Sequence, residues 1–157
     1  MSMSLKNIIG NLPEKKDSFI RRMRFHQGWW RAFVLDKPPG EYTNPRNEVA
    51  TVCNRILDGE KCYSNFLNDT IISVVKDQLD NRESNSKGIV EQVRLYNNLL
   101  SSQPLAFNFF GYLAGNLDLA TRFVKTIFPE ISEVTEIVFE FAPENSQDSS
   151  AFDVGIF

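Results

Sequence analysis

Two cysteines, Cys53 and Cys62, and one histidine, His26, are all that the 157 residues offer to zinc. A Cys/His centre takes four such ligands, so that class of site is excluded. The cysteine spacing permits a disulfide, but nothing marks the chain as exported, and reduced thiols are the expectation. No apolar run reaches the ~18 to 20 residues of a membrane span. The start, Met1-Ser2-Met3-Ser4-Leu5-Lys6, lacks the apolar stretch of a secretory signal. We therefore expect a cytoplasmic protein with no membrane partner. A glycine-rich phosphate loop is missing too, Pro38-Pro39-Gly40 reading as a turn. Positive charge is absent from the back of the chain. No Lys or Arg follows Lys125, whereas Glu130, Glu133, Glu136, Glu140, Glu144, Asp148 and Asp153 do. Lys6, Lys15, Lys16, Arg21, Arg22, Arg24 and Arg31 crowd the front instead. The net charge of −3 argues against a strongly basic nucleic-acid binder. The segregation fits a phosphate-facing front and a cation-binding back, and equally two solvated faces of opposite sign.

What is present is phenylalanine, 13 copies, with three in Phe107-Asn108-Phe109-Phe110, and a Phe-rich core is the plain reading. A helix is expected from Pro13-Glu14 to about Leu35, ended by Lys37-Pro38-Pro39-Gly40. Gly40 to about Arg46 reads as loop, and Asn47 to Leu57 as a short helix. Apolar spacing then gives a helix through Ile71 and Leu79, capped by Asn68 or Asp69, a polar turn over Asn81 to Gly88, and a helix from Ile89 to Leu100. Ser102 and Pro104 start the next helix, whose Leu105 to Leu113 stretch is apolar all round and should be buried. A further helix runs from Asn116 to Ile127, capped by Asn116 or Asp118. The period then drops to two. Val134 to Phe141 and Ala151 to Phe157 read as strands of a hairpin, joined by a polar turn over Pro143 to Ser149. The fold class is α+β in a single domain, helical over residues 1–128 with a hairpin over 133–157. Its free edge, ending in Ile156-Phe157, could pair with a protein partner or a second copy as a homo-oligomer.

Alternation places Ile137, Phe139 and Phe141 on one face of the first strand and Glu140 on the other. On the second strand Asp153 lies opposite the face of Phe152, Val154 and Ile156. Glu140 and Asp153 could then meet across the hairpin. Carboxylates on adjacent strands can hold Mg²⁺, which neutralises charge and activates water in phosphodiester hydrolysis. Solvated strand residues are the commoner outcome for such a pair. Gln27 and Arg31, one helical turn apart, could reach a phosphate or point into the core. Trp29 and Trp30 could stack on bases, although packing is expected.

The run Arg94-Leu95-Tyr96-Asn97-Asn98-Leu99-Leu100-Ser101-Ser102-Gln103-Pro104-Leu105-Ala106-Phe107-Asn108-Phe109-Phe110-Gly111 resembles a signature of a bacterial family of restriction-endonuclease-like proteins. That family is placed in the PD-(D/E)XK nuclease superfamily. Phe25-His26-Gln27-Gly28-Trp29-Trp30-Arg31, Asn65-Phe66-Leu67, Leu119-Ala120-Thr121, Phe139-Glu140-Phe141-Ala142-Pro143 and Ser150-Ala151-Phe152-Asp153-Val154 follow the family's order. The resemblance spans about residues 19 to 157. It implies a Mg²⁺-dependent DNA endonuclease with Asp153 as metal ligand, Glu140 as a second one, and Arg21, Arg22, Arg24, Gln27 and Arg31 as nucleic-acid contacts. It also implies an acid-x-Lys pair on a following strand, before which this sequence stops. Glu14-Lys15-Lys16 has the letters but lies near the N-terminus and is discounted. A catalytically incomplete relative, or a piece of a longer enzyme, is expected. The alternative is a non-catalytic interaction, regulatory or anti-defence module acting through its acidic C-terminal face or free strand edge.

Overall fold

The computed structural model describes residues 4–12, 18–81, 90–143 and 151–157. The expected helix start at Pro13-Glu14, the Lys15-Lys16 pair, Ile89 and most of both polar turns lie outside them. The chain divides into two compact units, each assembled from two stretches of sequence: residues 1–65 with 92–101, and 66–91 with 102–157.

In the first unit a short α1 (Leu5–Ile9) precedes α2 (Ser18–Phe33), which packs on a hairpin of β1 (Pro39–Thr43) and β2 (Val49–Ile56). This hairpin replaces the loop and helix expected over residues 40–57. Its turn is built by Asn44, whose Oδ1 accepts from the amides of Arg46 (2.9 Å) and Glu48 (3.0 Å). Asn47 adopts φ 61° there, a conformation asparagine tolerates. Val49, Thr51, Val52 and Ile56 are β-branched and favour the extended chain over the helix. Thr43 pairs with Val49 and Glu41 with Thr51, and the register shifts before Pro39 pairs with Ile56. A one-turn α3 (Gly59–Cys62) and α5 (Gln92–Asn97) complete the unit, so the helix expected over 89–100 is short. Gly59 is fixed by close approach, because a Cβ there would sit 2.2 Å from the Tyr96 carbonyl oxygen.

The core of this unit holds Ile9, Cys53, Ile56, Leu95 and Tyr96, and with them the guanidinium of Arg31. Gly28 lets α2 come close to β2 and α1. A Cβ at Gly28 would lie 3.0 Å from Cys53 Cβ and from Ile9 Cγ2.

In the second unit α4 (Asp69–Asp80), α6 (Ser102–Ala114) and α7 (Leu117–Lys125) support a hairpin of β3 (Ile137–Phe141) and β4 (Phe152–Ile156). The α+β class stands, with two small antiparallel hairpins among the described residues rather than one. Asn68 caps α4 by accepting from the Ile71 amide (3.0 Å), and Asn116 caps α7 by accepting from Leu119 (3.1 Å). Phe107 of α6 stacks on Phe139 of β3, ring centroids 3.9 Å apart, and meets Phe66 edge to face at 6.5 Å. Ile71, Val75, Ala120, Val124, Val134 and Ile137 fill the remaining core.

Helix α6 is not buried all round. Ala106, Phe107 and Gly111 face inward, whereas Leu105, Phe109 and Tyr112 are exposed. Helix uniformity in the sequence hid a real asymmetry, because only one side meets α4 and the hairpin.

Candidate functional site

Antiparallel pairing in the second hairpin sets Ile137 opposite Ile156, Val138 opposite Gly155, Phe139 opposite Val154 and Phe141 opposite Phe152. The last two pairs bracket Glu140 and Asp153, which therefore hold the same register position on neighbouring strands. Glu140 sits at φ 52°, in the left-handed region, inside a strand. A non-glycine residue there costs on the order of 1 kcal/mol and persists only where its surroundings hold it. Gly155 lies next to this position. A side chain on it would run into the rings of Phe141 and Phe157, which meet edge to face with centroids 5.0 Å apart.

Asp153 is exposed, and Glu140 is half-buried. Asp153 also forms part of the wall of a groove of about 540 Å³, together with Phe152, Val154 and Ile156 of β4 and Ser102, Leu105 and Phe109 of α6. Strand residues of both parities line this groove, so the clean separation of faces expected from alternation is not kept. No cluster of three or more His, Cys, Asp or Glu occurs among the described residues. The candidate donors are thus two carboxylates, hard oxygen ligands of the kind Mg²⁺ takes in ones or twos, completing its shell with water and phosphate oxygens.

The five front residues expected on nucleic acid divide. Arg21 and Arg22 are exposed, Arg24 and Gln27 are half-buried, and Arg31 is fully buried. Arg31 donates from Nε to the Cys53 carbonyl (3.3 Å) and from Nη2 to those of Ile8 (2.8 Å) and Ile9 (3.1 Å). Its Nη1 donates to the Lys37 carbonyl. Arg31 therefore clasps three segments of its own unit, and its fork is not presented to a phosphate. Burial pulls the guanidinium below its ordinary value, and the neighbouring Cys53 sulfur pulls it back up. The same burial pushes the Cys53 thiol up, against the nearby charges of Arg24 and Arg31 and the amides of Cys53 and Asn54. Arg24 turns the same way, its Nε buried without a hydrogen-bond partner. Trp29 and Trp30, expected to pack, are both exposed.

The long signature run proves to be framework. Gln103 and Pro104 are buried in the first turn of α6, and Gln103 Oε1 accepts from the Glu91 amide (3.2 Å). Asn98 Oδ1 accepts from Asn54 Nδ2 (2.9 Å) and from the Leu100 amide (3.1 Å). Asn108 Oδ1 accepts from the Leu67 amide (3.0 Å). Asn65, from one of the shorter matching pieces, donates from Nδ2 to the Leu95 carbonyl (2.9 Å). A run that specifies so many side-chain to backbone contacts identifies a fold, and the family model of the PD-(D/E)XK nuclease superfamily matches residues 14–157.

The chain belongs to the PD-(D/E)XK nuclease superfamily. No curated protein and no solved structure matches it significantly. Nucleases of the PD-(D/E)XK superfamily generally use divalent metals, and DNA is the substrate that membership points to. Within the described residues no helix is long and apolar enough to cross a membrane.

Proposed function

We propose that this domain is nuclease-like and engages DNA through a divalent cation, Mg²⁺ foremost, held by Asp153 with Glu140 as second ligand. The observation that supports the reading is the register of the second hairpin, whose flanking pairs bracket Glu140 and Asp153, with Asp153 also in the wall of the β4–α6 groove. When bound, the cation would neutralise charge on the phosphate and lower the pKa of a bound water. The chain's own part is positional. β4 presents Asp153 to solvent, the left-handed backbone at Glu140 fixes where its carboxylate starts, and Leu105, Phe109 and Phe152 wall the site with apolar surface. Arg21 and Arg22 are the outward-facing members of the arginine set and lie on the first unit.

Neither strand of the hairpin carries a lysine. A positive group that would orient the water or stabilise the leaving oxygen is therefore not supplied beside the carboxylates by these strands. We accordingly propose metal binding with little or no cleavage by this chain. Calorimetric titration with Mg²⁺ or Mn²⁺ is expected to give one site whose affinity falls about tenfold or more in Asp153→Asn. Plasmid DNA incubated with the same ions should stay intact. An unchanged titration in the variant overturns the site. Cleavage that Asp153→Ala abolishes overturns the claim of inactivity.

One further observation favours a second role. Phe152, Ile156 and Phe157 are exposed beside a strand whose sheet has two members among the described residues. Pairing of this edge with another chain would cover them. A solution mass above about 18.0 kDa, reduced by a proline in place of Val154, is the expected sign.

A further inference from the structure

Helix α2 turns Gly28 and Arg31 inward, and among the described residues nothing covers the opposite side. Along that side the residues fall in two parallel rows at four-residue spacing. Arg21, Phe25, Trp29 and Phe33 make one, and Arg22, His26 and Trp30 the other. Side chains four apart on a helix are neighbours about 5 to 6 Å apart. The first row is therefore a continuous ridge about 18 Å long. Its rings are open to solvent, with Phe25 40%, Trp29 44% and Phe33 53% exposed. Trp29 and Phe33 already lean on each other, centroids 5.9 Å apart and planes tilted by 41°. Each row begins with arginine and continues into rings, and the whole helix contains four arginines and no acidic residue.

An exposed aromatic ridge is a cost in water unless something covers it. The cations decide what. An apolar protein surface would meet the rings but offer nothing to the exposed charge of Arg21. A double helix would meet the arginines but hides its base faces in the stack. A single strand offers both a phosphate backbone and open π-faces. The end of the ridge near Arg21 and Phe25 also borders a cleft of about 650 Å³, walled further by Leu5, Gly10 and Asn11. That volume lies within the range of small-ligand sites.

We propose that the outward face of α2 binds unpaired nucleic acid, with bases stacked on Phe25, Trp29 and Phe33 and phosphates held by Arg21 and Arg22. This rests on the reading of the domain as engaging DNA and names the form of DNA it holds. It needs no metal, so it fails or stands independently of the Asp153 site.

The two tryptophans of the chain are Trp29 and Trp30, so emission excited selectively from tryptophan, and not from the four tyrosines, reports this face alone. The whole chain is titrated in EDTA with an oligothymidylate of about ten residues and with a duplex of matched length. Saturable quenching by the single strand, with clearly weaker response to the duplex, is expected. Phe25→Ala and Phe33→Ala should each weaken binding about tenfold, within the range of base stacking on aromatic side chains. Arg21→Ala and Arg22→Ala should each flatten the log–log salt dependence by about 0.7. Both ring positions are exposed, so circular dichroism should be unchanged in every variant. Absence of quenching overturns the proposal, as does equal binding of duplex with indifference to both phenylalanine substitutions. A doubled sedimentation mass accompanied by a blue shift of the emission overturns it as well, since a second copy then covers the face.

Discussion

Arg31 shows how a single residue can be read two ways from sequence and only one way in space. Its position four after Gln27 suited a phosphate contact, yet its Nε, Nη1 and Nη2 all donate to carbonyls, those of residues 8, 9, 37 and 53. Replacing it by alanine strips four carbonyl acceptors at once, two in buried and two in part-buried bonds, and each unpaired buried group costs about 1 to 3 kcal/mol. Some relaxation and water entry will offset this. We expect Arg31→Ala to lose about 3 to 5 kcal/mol in urea denaturation, and Arg31→Lys to recover only part of it, because an ammonium cannot span the fork. Cys53 beside it gives a pH test. Its thiol is raised above its ordinary value of 9.0 by burial. The folded state therefore holds that proton more tightly than the unfolded chain. Stability from this source is complete below the ordinary thiol range and is lost as pH rises above it. The urea midpoint should fall between about pH 8 and 10, and Cys53→Ala should flatten the decline.

At the scale of elements, the hairpin carrying Glu140 and Asp153 depends on α6 through one aromatic stack. Phe107→Ala removes the ring that meets both Phe66 and Phe139 and leaves a cavity. A loss of about 3 to 5 kcal/mol is expected, and the two-stranded hairpin should become the most readily exchanging part of the fold by amide hydrogen exchange. Asn116→Ala at the cap of α7 is a milder case, expected to cost about 1 kcal/mol in thermal unfolding. The elements of this second unit were legible in the sequence because their signals agree. Asn68 and Asn116 mark helix starts, Pro129 follows a helix end, and the period changes from 3.6 to 2 at Val134. The first unit was less legible. Asn44-Pro45-Arg46-Asn47 is turn chemistry, but it depends on two amides converging on the Asn44 side-chain oxygen, and no Asn-Gly pair announces it. The stretch Val49 to Ile56 has apolar residues at both even and odd positions, so its periodicity was ambiguous and its β-branching alone marked it as strand. At the site, the register of Glu140 against Asp153 followed from alternation and strand spacing. The left-handed backbone at Glu140, the apolar groove and the open α2 face did not, since each depends on tertiary packing that leaves one side of a helix or strand uncovered.

At the scale of the molecule, the chain crosses between its two units at residues 65 and 66, 91 and 92, and 101 and 102. The first unit borrows α5 from beyond the second unit's α4. Gly59 is shaped to receive Tyr96, Asn65 donates to Leu95, and Asn54 bonds Asn98. A chain cut after residue 65 lacks all three partners and is expected to show no cooperative unfolding transition, whereas adding residues 66–101 should restore one. Limited proteolysis followed by circular dichroism checks both. The same interleaving sets an order on synthesis. While the chain is emerging from the ribosome, helices α1 and α2 and the first hairpin are exposed early, but they cannot close around their own core until residue 101 has cleared the exit. The nascent front half, arginine-rich and aromatic, is thus obliged to wait for its last helix, and translation speed across residues 66–101 becomes a determinant of how much protein reaches the folded state.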